Sequence, residues 1–480
     1  MMKKNSLLTF LVVSACAFPV AGALGADYRW NSSYDPSSYS VAGNWQVWNG
    51  SSWTTATTAP TASDNIVTPN LYAGATINDV PGNSVNNFTV DLSANWRIMN
   101  PPSGSVARTY TIEGDLAKSG SGSLLFHPYG TTSPGYTLSV GGNVQTNGGV
   151  LLMGSSGIAM TSVSVGGSTT VASGATLRVN ADSATFGALT VNGRTYVHDA
   201  DISGGSTGGL TASSLSGNSG TVAAKSYGSN ASTATLTLNG SGASVSSYAG
   251  LMVDGTGTGT TLALLKSGSY TQVLTGSNTY SGGTLISGGS LFVNNASGSG
   301  TGTAAVSVGE GLLGGTGIIT GAVQVGDGTG SFQSALVTAG VAEGDIGTLS
   351  MGALDMAYTD AAYVVDMNSD SGTADLINVN GSANLGSGLA SLIVSDQGRT
   401  SLSAGYRFTI ISTLAGVSGY FDGLGEGDTV VIGANIYRIS YGIDLDDSVT
   451  LTVVPEASSG LMGALGALLV VVCQCRRRRS

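Results

Sequence analysis

The residues best placed by type and spacing to do chemistry lie in Arg194-Thr-Tyr196-Val-His198-Asp199-Ala-Asp201. On a strand, Asp199 and Asp201 share one face about 7 Å apart at Cα, and His198 points the other way. Paired carboxylates with a basic neighbour such as Arg194 are how some polysaccharide-cleaving enzymes arrange an acid and a base, or hold Ca²⁺. The plainer reading, an exposed acidic patch closing a turn of the chain, is preferred. Asp444, Asp446 and Asp447 form a second set that could hold Ca²⁺, but they lack the Gly-rich nonapeptide of calcium-binding solenoids. His127 and His198 stand 71 residues apart, and no Cys or His cluster has metal-ligand spacing. Gly204-Gly205-Ser206-Thr207-Gly208 spells a nucleophile-elbow motif without the strand-turn-helix context such a motif needs. In a chain with 74 glycines it reads as a loop, and no cofactor is expected.

These residues sit in text that repeats. Leu138-Ser-Val140-Gly-Gly, Val163-Ser-Val165-Gly-Gly, Leu189-Thr-Val191-Asn-Gly and Leu236-Thr-Leu238-Asn-Gly are versions of one phrase, stepping by 25, 26 and 47 residues at the second apolar position. Short strands punctuated by Gly and Asn at a period near 25 predict a β-solenoid, with alternate Val and Leu inside and Gly or Asn at the corners. Coils stack about 4.8 Å apart, so charges repeated in register would repel while Ser, Thr and Asn can hydrogen-bond along the stack. That accounts for only 9% charged residues beside 41% hydrophobic ones. Before the repeats, residues 27–130 carry all five tryptophans: Trp30, Trp45, Trp48, Trp53 and Trp96. They read as packing for the solenoid's N-terminal end, in preference to an exposed platform on which sugars stack. Residues 346–454 continue as strands with added aromatic bulk from Phe421, Tyr437 and Tyr441.

Both ends read as targeting segments. Lys3 and Lys4 precede an apolar stretch over residues 7–13, and Ala21-Gly22-Ala23 offers a small-x-small cleavage site of a secretory signal peptide, ending near Ala23 to Ala26. A lipoprotein box ending at Cys16 is the rival reading. At the other end Pro455-Glu456-Ala457 precedes an apolar run of 13 residues, 460–472, and then Arg476, Arg477, Arg478 and Arg479. As a helix that run reaches about 20 Å, short of a hydrocarbon core of roughly 30 Å, and the arginines favour the cytoplasmic side. The segment suits a transient hold in the inner membrane, although an ordinary C-terminal anchor is the alternative. Losing Lys3, Lys4 and the four arginines removes six positive charges, taking the formal net charge from −11 to −17. Nucleic acid is not an expected partner for so acidic an exported chain. All three cysteines, Cys16, Cys473 and Cys475, fall in the end segments, so the body holds together without disulfides.

The tail resembles the PEP-CTERM sorting domains of Gram-negative bacteria that make exopolysaccharide. Pro455 and Glu456 match the first two motif residues, and Ala457 departs from it where a second proline is expected. The resemblance implies processing near Pro455-Glu456 by an exosortase-type enzyme. Residues 264–294, from Leu264-Leu-Lys266-Ser-Gly268 through Leu274-Thr-Gly276-Ser-Asn278-Thr-Tyr280-Ser-Gly282-Gly283-Thr284 to Gly289-Ser-Leu291-Phe-Val293, resemble the autotransporter-associated β-strand repeat. That resemblance implies a β-helix passenger architecture and is silent about activity; no terminal membrane barrel is read at the C-terminus. The expected protein is all-β, a right-handed parallel β-helix with a Trp-rich N-terminal β cap and a short C-terminal apolar helix. Its expected parts are a signal peptide (1–26), a Trp-rich β region (27–130), a solenoid (131–345), a C-terminal β region (346–454) and a sorting signal (455–480). The expected function is structural or adhesive and non-enzymatic, at the cell surface or in extracellular polysaccharide. The alternative is a polysaccharide lyase or glycosidase built on Asp199 and Asp201.

Overall fold

The computed structural model describes residues 25–31, 38–68, 76–77, 84–99, 108–127, 135–154, 160–200, 208–226, 232–256, 259–442 and 447–455. They form an all-β solenoid of about 11 turns, whose one helical element is the three-residue 3-10 turn Ala42–Asn44. Three faces recur around each coil in the N-terminal half. Strands such as Tyr136–Val140, Val144–Thr146 and Val150–Met153 each contribute to one face, and each pairs in parallel with the equivalent strand of the next coil.

Register decides what the interior holds. On one face Val85, Ile112, Val140, Val165, Phe186, Ala212, Leu238, Lys266, Ile286, Val308 and Val325 lie directly over one another in successive coils. All are buried. A second inward column runs Trp96, Leu124, Leu151, Leu177, Thr195, Val222 and Met252. Each buried Val or Leu contributes about 1.5–3 kcal/mol relative to exposure, and stacking identical faces makes that burial continuous.

Between the inward residues the hydroxyls pair from coil to coil: Thr137 with Ser162 (3.1 Å), Ser139 with Ser164 (3.2 Å), Thr190 with Ser216 (2.8 Å) and Thr233 with Thr261 (2.9 Å). A corner ladder does the same with amides and carboxylates. Asn87 Oδ1 accepts from the Asp115 amide, Asp115 Oδ1 from the Asn143 amide, and Asn143 Oδ1 from the Ser168 amide, at 2.8, 2.6 and 2.9 Å. Polar side chains thus carry the stacking, as expected of a chain so poor in charge.

One expectation about the period needs correcting. Val140, Val165 and Leu238 share a ladder, but Val191 does not: Val165 lies over Phe186, and Val191 lies under Val171 on the neighbouring face. The strand Ala181–Val191 is 11 residues long and serves both faces without a Gly-Gly break. The coil there closes in 21 residues, against 25 and 26 for its neighbours.

Antiparallel pairing is concentrated at the two ends. Asp27–Trp30, Trp45–Trp48 and Trp53–Thr55 form one antiparallel group. Arg407–Thr413, Ser448–Val454, Asn435–Ser440 and Thr429–Ile432 form the other. Phe408, Phe421, Tyr437 and Tyr441, from and around this second group, join the solenoid's apolar core.

Candidate functional site

Arg194–Ala200 is a strand of the third face, with Thr195 and Val197 buried inside the coil. Outside, Arg194 Nη1 donates to Tyr196 Oη at 3.1 Å, and Lys225 Nζ stands 5.1 Å from the Tyr196 ring. Asp199 pairs in register with Lys225 across a β-bulge that begins after Tyr196. The bulge interrupts the simple alternation between Tyr196 and Asp199. The side chains of His198 and Asp199, and the whole of Asp201, lie outside the described residues, as do Ser206 and the side chain of His127.

Asp447 has φ 40°, and its carbonyl accepts from the amide and hydroxyl of Thr413 at 3.0 and 2.9 Å. Asp444 and Asp446 lie outside the described residues. Among those described, no group of three or more His, Cys, Asp or Glu could hold a metal. Of the targeting residues only Pro455 is described, at an exposed chain position. Ala23, Glu456, the segment 460–472 and Arg476, Arg477, Arg478 and Arg479 lie outside. No helix among the described residues is long and apolar enough to cross a membrane.

The tryptophans divide three to two. Trp30, Trp45 and Trp96 are buried, with Trp30 and Trp45 edge-to-face at 4.9 Å and Trp45 Nε1 donating to the Tyr39 carbonyl at 2.8 Å. Trp48 and Trp53 are cross-strand partners on the hairpin, with ring centroids 5.4 Å apart. Trp48 is 40% exposed. The Arg29 guanidinium lies 4.6 Å from the Trp53 ring, and its Nε donates to Gln46 Oε1 at 2.7 Å. Aromatic faces beside a fixed guanidinium and an amide make an amphipathic surface on which a sugar ring can stack and hydrogen-bond.

Two buried lysines escaped the sequence reading. Lys118 Nζ donates to the carbonyls of Gly120, Gly122 and Gly148, at 2.8, 2.5 and 2.5 Å. Lys266 Nζ donates to the carbonyls of Gly268 and Gly288, the latter at 3.0 Å, and stands 4.4 Å from the Tyr270 ring. Each ammonium ties its own turn to the Gly-Gly turn of the next coil. Burial pulls both lysines down to about 8, although Asp91 opposes the shift at Lys118. The available signal was Lys-Ser-Gly-Ser, which occurs at 118–121 and again at 266–269.

A family model described as the passenger-associated transport repeat matches residues 264–292, a span that contains the Lys266 clamp. Among solved structures, the crystal structure of the Haemophilus influenzae Hap adhesin is similar at 13% identity and a TM-score of 0.27, over 82% of this chain and 49% of that one. The chain thus spans about half the length of that structure. No curated protein matches.

Proposed function

We propose that this chain is an exported, non-enzymatic solenoid with a structural or adhesive role at the cell surface or in the extracellular polysaccharide. The observation that carries this reading is the passenger-associated transport repeat at 264–292, set in a stack of coils whose outward positions are hydroxyl and amide ladders. Such a stack is a rod whose side chains are engaged in holding it together, which suits display better than turnover. The Trp48–Trp53 pair supplies a surface for weak, multivalent contact with sugars. In the route we propose, a signal peptide is cleaved near Ala23, the segment 460–472 pauses in the inner membrane, and an exosortase-type enzyme cuts near Pro455-Glu456.

The test sets surface display against catalysis. Whole cells treated with an impermeant protease should lose the protein while cytoplasmic markers persist. The purified chain should release no oligosaccharide from a broad polysaccharide panel. Product release abolished by Asp199→Asn or Asp201→Asn would replace this reading with a polysaccharide-active enzyme.

A further inference from the structure

The C-terminal antiparallel group has one face turned into the core, through Phe408, Tyr437, Ile439 and Leu451, all buried. Its register sets the opposite face. Arg407 and Arg438 are both cross-strand partners of Thr452, one from each side, and Thr450 is flanked in the same way by Thr409 and Ser440. Two guanidinium-bearing residues therefore flank a threonine, with a row of hydroxyls two residues along the strands. Arg407, Arg438, Ser440, Thr450 and Thr452, with Gly442 and Glu426, line a cavity of about 320 Å³.

We propose that this cavity binds a carboxylated sugar unit of an acidic polysaccharide, an inference that deepens the surface reading above and rests on it. Arg438 is paired through its backbone with Thr429 and Thr452 and is exposed at the cavity, and its planar fork matches a carboxylate in two parallel hydrogen bonds. Ser440, Thr450 and Thr452 offer the short hydroxyls that pair with sugar hydroxyls. Glu426 is held at the cavity by accepting from the Tyr441 amide through Oε2 at 2.7 Å, and a carboxylate there can accept from a sugar hydroxyl. The volume is at the small end for ligand pockets, about 300–1,000 Å³, which fits one or two sugar units. The chain is acidic overall, at −11, and Arg438 brings a guanidinium to this cavity, while Arg407, across Thr452, donates from Nη2 to Ser448 Oγ at 3.5 Å.

The experiment measures binding of oligogalacturonate, a neutral malto-oligosaccharide of equal length and polyglutamate to the full-length chain at low and high salt. The expected result is saturable oligogalacturonate binding, weakened about tenfold or more by Arg438→Gln, partly kept by Arg438→Lys and unaffected by Arg97→Gln, a change at an exposed arginine of the N-terminal strand Trp96–Met99 that does not line the cavity. Circular dichroism checks that each variant is folded, and if Arg438→Gln is not, Thr452→Val should weaken binding by the same route. Absent binding, or equal binding by folded Arg438→Gln, overturns the proposal. Binding of polyglutamate without oligogalacturonate overturns it in favour of an acidic peptide. Neutral-sugar binding that survives Arg438→Gln but falls with Trp48→Ala refutes the cavity and leaves the adhesive reading standing. A chain that binds but never reaches the surface refutes that reading instead.

Discussion

Gly289 shows how single residues hold the transport repeat in shape. It sits at φ +64°, and a Cβ there would overlap the carbonyl oxygens of Gly268 and Tyr270 and the Lys266 ammonium. Gly174 has a similar φ, +79°, with nothing within 4 Å of where a Cβ would go. Gly174→Ala therefore incurs only the left-handed backbone cost of about 1–2 kcal/mol, whereas Gly289→Ala adds a clash and should lose about 3 kcal/mol or more. Thermal unfolding of both variants checks the order. The lysines behind this turn carry a pH signature. A free lysine titrates near 10.4 and these two are held at about 8, so between those values the unfolded chain binds more protons than the folded one. Stability should rise from pH 8 to 10. Above pH 10 the sign reverses, because burial holds the hydroxyls of Tyr39, Tyr248, Tyr270 and Tyr280 protonated and unfolding releases those protons. Urea melts across pH 7–11 should show the rise, and Lys118→Met with Lys266→Met should remove it. No sequence rule placed these lysines inside, since lysine is among the residues least often buried and each has one carbonyl partner in the turn of another coil, 30 residues from Lys118 and 22 from Lys266.

At the scale of the strand, inward and outward positions should behave as different populations. Leu238 is buried in the ladder between Ala212 and Lys266, and its neighbour Thr237 points out and is half-buried. Leu238→Ala should destabilise by about 2–5 kcal/mol, and Thr237→Ala by well under half of that, as read by thermal melts. The Leu-Thr-Leu and Val-Ser-Val phrases made this alternation legible in the sequence, because a period of two survives any change in loop length. Coil register was less legible. The phrase ending at Val191 looks like its relatives but belongs to the next face, because Ala181–Val191 passes a corner as one continuous strand. The bulge between Tyr196 and Asp199 was likewise hidden from a rule that counts in twos. The arginine pair of the C-terminal cavity was hidden too, since Arg407 and Arg438 meet only through their shared partner Thr452 on a third strand.

For the whole molecule, the same stacking produces a long core fed from every coil and a surface of satisfied hydroxyls and amides. Antiparallel groups lie at both ends of the stack, where open parallel edges would otherwise recruit other chains. The solenoid itself was readable because composition, punctuation and period all pointed the same way. In the route we propose, delivery of the rod depends on the two end segments, and intact-mass measurement of the protein from fractionated cells of the native host tests that most directly. The account predicts mature protein outside the inner membrane, beginning near residue 24–27 and ending near Pro455, with Ser replacements of Arg476, Arg477, Arg478 and Arg479 changing its destination but not its fold. Protein that retains Arg479 and stays in the inner membrane would contradict it.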